Sequence, residues 1–485
     1  MTGVTPLVRR RRQSGSRVEP HGLARRIRTQ MGRMGEALMG RSRALLLAAA
    51  VLGTAGMLLF GGVFADSSGD GVLRSEARAA GDAADQDSLN GLIAGFSSGN
   101  TAAYVRSLEH RVAQQPSDAA SLTLLGLAYQ QRARETGDPT YYRLSGKALG
   151  RALRVGGGTR ALIVQGLAAL ANTRHRFGAG LALARRSIRI DRENGSAYGA
   201  LGDALLNLGR YRPAFAAYDR MAVLSPGIAS YTRVANAREL LGRRDGAVEA
   251  LQLALEADST VPEQVAWTLV QLGNVQFNRG RLGAAERAYR QALRRLPGYV
   301  HAEAGLARVE AARDDYGPAA ARLRHVVDVL PIPAYVIALG DVLHVSGRES
   351  QARREYGLVG VIERLFAANG VRTELQTALF DLDHGRNVND ALARARKAYV
   401  SAPGVYAEDA LAWGLLKTGR CGSAKVHSAD SLRLGTRDAL LFFHRGMIER
   451  CLGNGAAARV WFGRALSLNP NFSLLWAPVA RRALE

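Results

Sequence analysis

Small and apolar residues return in the same order about every 34 residues, and this recurrence constrains the fold more than anything else in the 485-residue chain. The segment from Gly195 to Pro226 shows one full period. With Gly202 numbered as position 8, Tyr198 is 4, Leu201 is 7, Leu205 is 11, Gly209 is 15, Ala214 is 20, Tyr218 is 24 and Pro226 is 32. Leu272, Gly273, Gly280, Ala285, Tyr289, Ala292 and Pro297 repeat positions 7, 8, 15, 20, 24, 27 and 32. Phe442, Gly446, Gly453, Ala458, Phe462, Ala465 and Pro470 fill 4, 8, 15, 20, 24, 27 and 32 of a copy near the end. Residues three and four apart share a helical face, so positions 4, 7, 8 and 11 form one stripe of a first helix and 20, 24 and 27 one stripe of a second. Small residues at 8 and 20 let two antiparallel helices approach, and the bulky ones fill the space around them. Proline at 32 ends the second helix. Pro213 and Pro318 both fall at position 19, in the first turn of the second helix, where a missing N–H costs little. A two-helix unit cannot bury both its faces alone, so copies must stack into a solenoid.

This pattern resembles the tetratricopeptide repeat (TPR) family. Position 8 falls on Gly126, Gly166, Gly202, Ala235, Gly273, Ala307, Gly340, Ala378, Ala412 and Gly446, ten copies, and the expected fold is all-α: an α-solenoid of about ten TPR-like helix-turn-helix repeats preceded by a single transmembrane helix. The copies at Gly126, Gly166 and Ala378 match least well in their second helices, and ETGDPT at 135–140 is an insertion. A helix around Tyr104 to Gln115 is expected to cover the first copy, and NFSLLWAPVARRALE the last.

The resemblance implies that positions 2, 5, 9 and 12 of each first helix line a concave groove. Position 9 reads Asp203, Asn236, Asn274, Arg308 and Asp341 through the middle, then Leu379, Trp413 and Met447, with Tyr406 at 2 and Phe443 at 5 nearby. A groove polar at its centre and apolar toward the carboxyl end suits an extended peptide or a partner helix, with amides and Arg308 meeting backbone or carboxylate groups and aromatics serving as anchors. The competing reading makes the polar stripe solvated helix surface and packs Trp413 under the terminal helix. Some family members clamp a carboxyl terminus with Lys at 5 and Asn at 9; Thr232 and Val270 stand at 5 here, so that specificity is not carried over.

The amino-terminal part is built differently. Residues 1–43 hold eleven arginines against Glu19 and Glu36, and no packed core can form from them. Residues 44–65 are 22 in a row without a charge, which at about 1.5 Å each reach across a hydrocarbon layer of about 30 Å. Residues 66–87 then carry Asp66, Asp70, Glu76, Asp82, Asp85 and Asp87 against Arg74 and Arg78, so the basic flank is expected to stay cytoplasmic and the repeats to face the other side. An uncleaved signal anchor is favoured over secretion after cleavage at Asp66, because the apolar run exceeds the usual signal core. An arginine-rich organellar presequence is the third alternative.

Nothing in the sequence supports catalysis. The nine histidines are scattered without metal-ligand spacing, and H-E-x-x-H and Walker A motifs are absent. No cofactor or metal is expected. Two cysteines exclude a disulfide scaffold or a four-cysteine zinc site. Cys421 falls at position 17 of the ninth copy and Cys451 at 13 of the tenth, helix ends that adjoin in an antiparallel stack, so a disulfide is expected in an oxidising compartment. Sixty-five basic residues, only four of them lysine, give a net charge of +23. That excess invites an anionic partner, but the groove positions hold few arginines, which disfavours nucleic acid and leaves an anionic envelope polymer as the alternative ligand.

The expected division is therefore a basic cytoplasmic tail (1–43), a transmembrane helix or signal anchor (44–65), a flexible linker (66–99), the TPR solenoid (100–476) and a C-terminal cap (477–485). The expected function is a membrane-anchored, non-enzymatic scaffold or adaptor binding partner proteins or peptides in the groove; the alternative is an accessory module that binds an anionic envelope polymer or aids its export. Homo-oligomerisation is left open.

Overall fold

Helix follows helix through all the described residues of the computed structural model, which are 100–156, 160–257 and 261–485. Helix α1 (Thr101–Gln114) comes first. Ten antiparallel pairs then follow: α2 (Ala119–Thr136) with α3 (Thr140–Val155), α4 (Arg160–Thr173) with α5 (Phe177–Ile190), α6 (Gly195–Asn207) with α7 (Tyr211–Leu224), α8 (Ile228–Leu240) with α9 (Arg244–Glu256), α10 (Pro262–Asn278) with α11 (Leu282–Arg295), α12 (Val300–Ala311) with α13 (Tyr316–Val329), α14 (Pro333–Val345) with α15 (Glu349–Ala368), α16 (Glu374–Asp383) with α17 (Val388–Ser401), α18 (Val405–Lys417) with α19 (Cys421–Ser431), and α20 (Ala439–Cys451) with α21 (Gly455–Leu468). The seven-residue helix α22 (Trp476–Arg482) is last. The solenoid is thus a run of TPR-like helix pairs. Residues 1–99, including the basic tail, the apolar segment 44–65 and the linker, lie outside the described residues. Among the described residues no helix is long and apolar enough to cross a membrane.

The close contact inside each pair explains the small residue at position 8. A Cβ added at Gly202 would stand 2.3 Å from Tyr218, at Gly273 2.4 Å from Tyr289, at Gly340 2.2 Å from Tyr356 and at Gly446 2.6 Å from Phe462. The bulky residue at position 24 therefore occupies the space a side chain at 8 would need. In the first pair the insertion at 135–140 moves that role from Tyr142 to Leu149, 2.6 Å from a Cβ at Gly126.

Two of the weakly matching copies are corrected by the structure. Position 8 of the second copy is Ala168, not Gly166: Ala168 is fully buried against Ala184 and Ala200. A Cβ at Gly166 would meet Leu127 and Leu149 of the preceding pair, which is the position-6 contact that Gly305 makes with Tyr289. In the copy at Ala378 the turn carries Gly385 and Asn387 at φ 61° and 43°, and the second helix is displaced by one residue, so Ala391 and Ala395 take the buried slots.

Successive turns of the superhelix touch. Val405 N donates to Tyr211 Oη at 2.7 Å, Thr436 Oγ1 to the Leu240 carbonyl at 2.6 Å, and Asn469 Nδ2 to the Phe277 carbonyl at 3.0 Å. His175 Nδ1 meets the Arg372 carbonyl in the same way. These contacts span 192 to 197 residues, so the turn inside one pair always meets the loop that follows the pair five places on. Gly209 and Gly242 sit at these contacts with φ of 68° and 70°, and a Cβ on either would be within 2.4 Å of the carbonyl oxygen of Pro403 or Gly435. The concave face is consequently the inner wall of a lumen and not an open trough.

Candidate functional site

Where α10, α12 and α14 stand side by side, the lumen wall surrounds a cavity of about 240 Å³. Trp267, Val270, Asn274 and Phe277 of α10 reach it from positions 2, 5, 9 and 12, and His301, Ala304, Arg308 and Ala311 of α12 repeat the set. Tyr335 and Asp341 come from α14. The far side is supplied by the chain's own residues Asn471 to Leu474.

Two side chains, His301 and Arg308, set the chemistry of this cavity. His301 Nδ1 hydrogen bonds the Tyr335 hydroxyl, and its ring stands edge-on to Trp267 with centroids 5.5 Å apart. Burial, reinforced by the charge of Arg134, holds this imidazole down to about 4, so it is neutral near pH 7. Arg308 lies over the Phe277 ring, 3.8 Å from its centroid, and donates to Asn278 Oδ1 at 3.1 Å. Burial lowers the Arg308 pKa, but guanidinium keeps its charge. Its hydrogen bond goes to an amide and not to a carboxylate. Nearby, burial pushes the Glu239 carboxyl up to about 7. A half-sheltered cation between aromatic walls can hold a carboxylate or a peptide carbonyl beside an apolar side chain.

Of the residues singled out from the sequence, Asn274, Arg308 and Asp341 line this cavity together. Tyr406 joins Arg308 and Asn278 at an adjoining recess of about 30 Å³. Asp203 and Asn236 lie outside both. The polar residue at position 9 also has a partner within its own pair: Tyr218 Oη donates to Asp203 at 3.0 Å, Tyr289 Oη to Asn274 at 2.8 Å and Tyr356 Oη to Asp341 at 2.8 Å. Asp203 is further held by two hydrogen bonds from Arg233 of the next copy. Asn236 is half-buried on α8, where position 24 is Leu251 and offers no hydroxyl.

Trp413 and Phe443 are not presented to the lumen; both are fully buried. The terminal segment covers them. Trp476 stands perpendicular to Trp413 at 5.5 Å and lies 5.3 Å from Phe443. Both indole N–H groups donate to Asp383 Oδ1, from Trp413 at 2.8 Å and from Trp476 at 3.3 Å. Burial pushes the Asp383 carboxyl up to about 6 against the pull of His444, His384 and Lys417. Lys417 Nζ sits 4.6 and 4.9 Å from the two indole centroids. The terminal segment thus does more than cover the last copy, since Phe472 and Leu474 complete the lumen wall three to five helix pairs upstream.

Cys421 opens α19 and Cys451 closes α20; their Cα atoms are 6.0 Å apart and the two form a disulfide. Glu408, His427 and Asp430 place potential ligand atoms within 4.8 Å of one another, a grouping their sequence spacing did not suggest. Glu408 is already engaged by His427 at 2.8 Å and by Arg433 at 3.7 Å.

No protein-family model matches the chain, and no curated protein matches it. Solved structures similar to it include the crystal structure of MamA, 18% identical over 34% of this chain and 94% of that one, with a TM-score of 0.27. Another is YrrB, described as a TPR protein with an unusual peptide-binding site, 19% identical over 40% of this chain and 96% of that one, also with a TM-score of 0.27. Scores this low say nothing about what this chain binds, and its repeat architecture stands on its own helices.

Proposed function

We propose that this chain is a non-enzymatic scaffold, anchored in a membrane by residues 44–65, that binds a segment of a partner protein on the inner wall of its lumen. The cavity formed by Trp267, Asn274, His301, Arg308 and Asp341 carries this reading, because it combines aromatic walls with one half-buried cation and several amide or carboxylate groups. That mixture suits a peptide better than a bare polymer: the apolar walls take a side chain while Arg308 takes a carbonyl or carboxylate. The charge asymmetry across residues 44–65 supports an extracytoplasmic position for the repeats, which protease added to intact cells would test.

Selection from a random peptide library against the full chain tests the binding reading. Enriched peptides are expected to lose at least about tenfold in affinity on Arg308→Gln and on Trp267→Ala, as hot-spot truncations do. If no peptide is enriched, or if the enriched ones bind both variants as tightly as the parent chain, the lumen is not a peptide site.

A further inference from the structure

Helix α3 carries Arg143, Lys147, Arg151 and Arg154, spaced four, four and three residues apart, which puts all four on one exposed stripe about 17 Å long. Arg174 and Arg176, in the turn between α4 and α5, close one end of the same open groove, whose volume is about 700 Å³. Its floor is made by Leu167, Leu170 and Leu183. The floor residues of α4 lie on the face opposite Leu162, Gln165, Ala169 and Asn172, the positions equivalent to those that line the lumen, so this groove is on the outside of the solenoid. It shares no residue with the lumen cavity.

Six cations crowd this groove, and no carboxylate lines it. Among the described residues none of the six has an acidic partner; Arg151 donates to the Pro116 carbonyl at 3.0 Å, and Arg174 Nε is buried without any partner. Burial and then the neighbouring charge of Arg176 draw the Arg174 guanidinium below its ordinary range. Elsewhere on the surface arginines find acids, as Arg322 does with Glu303 and Glu310, or Arg394 with Asp381 and Glu363. Like charges held together without a counter-ion favour binding of an anion. A bare polyanion gains nothing from a leucine floor, and the lining has no aromatic ring on which a nucleic-acid base would stack.

We infer that the groove between α3 and α5 is a second docking surface, for an acidic amphipathic helix of a partner protein. Its carboxylates meet the α3 stripe and its apolar face rests on Leu167, Leu170 and Leu183. The site shares no residue with the lumen cavity, and only its pairing with a second bound segment rests on the lumen reading proposed above.

Fluorescence anisotropy tests this with the full chain and a labelled 20-residue helical peptide that bears glutamates on one face and leucines on the other. Binding is expected to weaken at least about tenfold in Arg151→Glu with Arg154→Glu, and in the same direction, less steeply, in Arg143→Gln with Lys147→Gln. All four positions are exposed, so circular dichroism should show unchanged melting. Reversal of the exposed pair Arg294 and Arg295 on α11 should leave binding intact. Equal losses from the α3 and α11 reversals would reduce the effect to net charge and overturn the proposal. It also fails if a peptide with serine in place of leucine, or inorganic polyphosphate, binds as tightly as the amphipathic helix. Failure of the lumen selection would not touch this result, and the reverse holds too.

Discussion

Replacing Trp476 by Ala tests whether the terminal segment is held in place by the contacts described. The side chain is 7% exposed, and an indole buries roughly 200 Å², which at about 25 cal/mol per Å² is about 5 kcal/mol. Measured core truncations of Trp cost a similar 3–5 kcal/mol, and the hydrogen bond to Asp383 adds about 1 kcal/mol. What remains to hold α22 is small: Ala477 and Ala480 are its other buried residues, and seven residues are too few for a helix to persist alone. The expected outcome is local release and not global unfolding. Hydrogen exchange read by mass spectrometry should show residues 476–482 losing protection while α10 to α15 keep theirs, and Trp413 should become accessible to iodide quenching. Trp476→Phe keeps most of the buried area and loses only the N–H, so it should remain docked at a cost of about 1–2 kcal/mol. Unchanged protection of 476–482 in the Ala variant would show that other contacts hold the segment and that packing of the Trp476 ring is not what fixes it.

Closure between superhelical turns makes Tyr211→Phe costly: Val405 N loses its acceptor, for roughly 1–3 kcal/mol, visible as faster amide exchange at 405 and a lower urea midpoint, whereas an unchanged midpoint would mean that the contact is ornamental. Gly340→Ala places a methyl 2.2 Å from Tyr356, and overpacking of about 1–3 kcal/mol with loss of the bond to Asp341 should outweigh the helix-propensity gain of about 1 kcal/mol; equal or greater stability in urea would contradict the tight ring contact. Asp383, raised from 3.8 to about 6, contributes stability that is complete below pH 3.8 and lost as pH rises through 6, roughly 3 kcal/mol in full. Asp383→Asn keeps an oxygen for both indoles and removes the buried charge, so the variant should gain on the parent chain across that window, and a difference constant from pH 4 to pH 8 would refute the assignment.

The helix pairs were readable from the sequence because each depends on short-range geometry: a ring at 24 needs a small residue at 8, and both lie within one period. The register slipped at Gly166, where glycine serves contact with the preceding pair, a demand that falls on position 6 and is chemically indistinguishable from the one at 8. Asn274, Arg308 and Asp341 were found by following position 9, and Trp267 and His301 were available from the same stripe at position 2. Nothing in the spacing indicates that Phe472 and Leu474 complete the lumen or that Trp476 covers Trp413, because those contacts join segments whose proximity is set by the accumulated rotation of many pairs. The same holds for the contacts near 195 residues. The outer groove is not legible in the sequence because its cations come from two copies whose common register the insertion at 135–140 blurs.

Ordinary helical-repeat arrays behave as one-dimensional stacks, in which each unit knows only its two neighbours and the ends can melt while the middle stays folded. Where one coil rests on the next, every unit acquires a neighbour above or below as well, and the array becomes a lattice wrapped on a cylinder. Such a lattice loses the freedom to grow by insertion: one additional pair in the middle would bring every later loop opposite the wrong partner, so length can change only at the ends. It should also melt more nearly as a single unit than a linear stack of the same size.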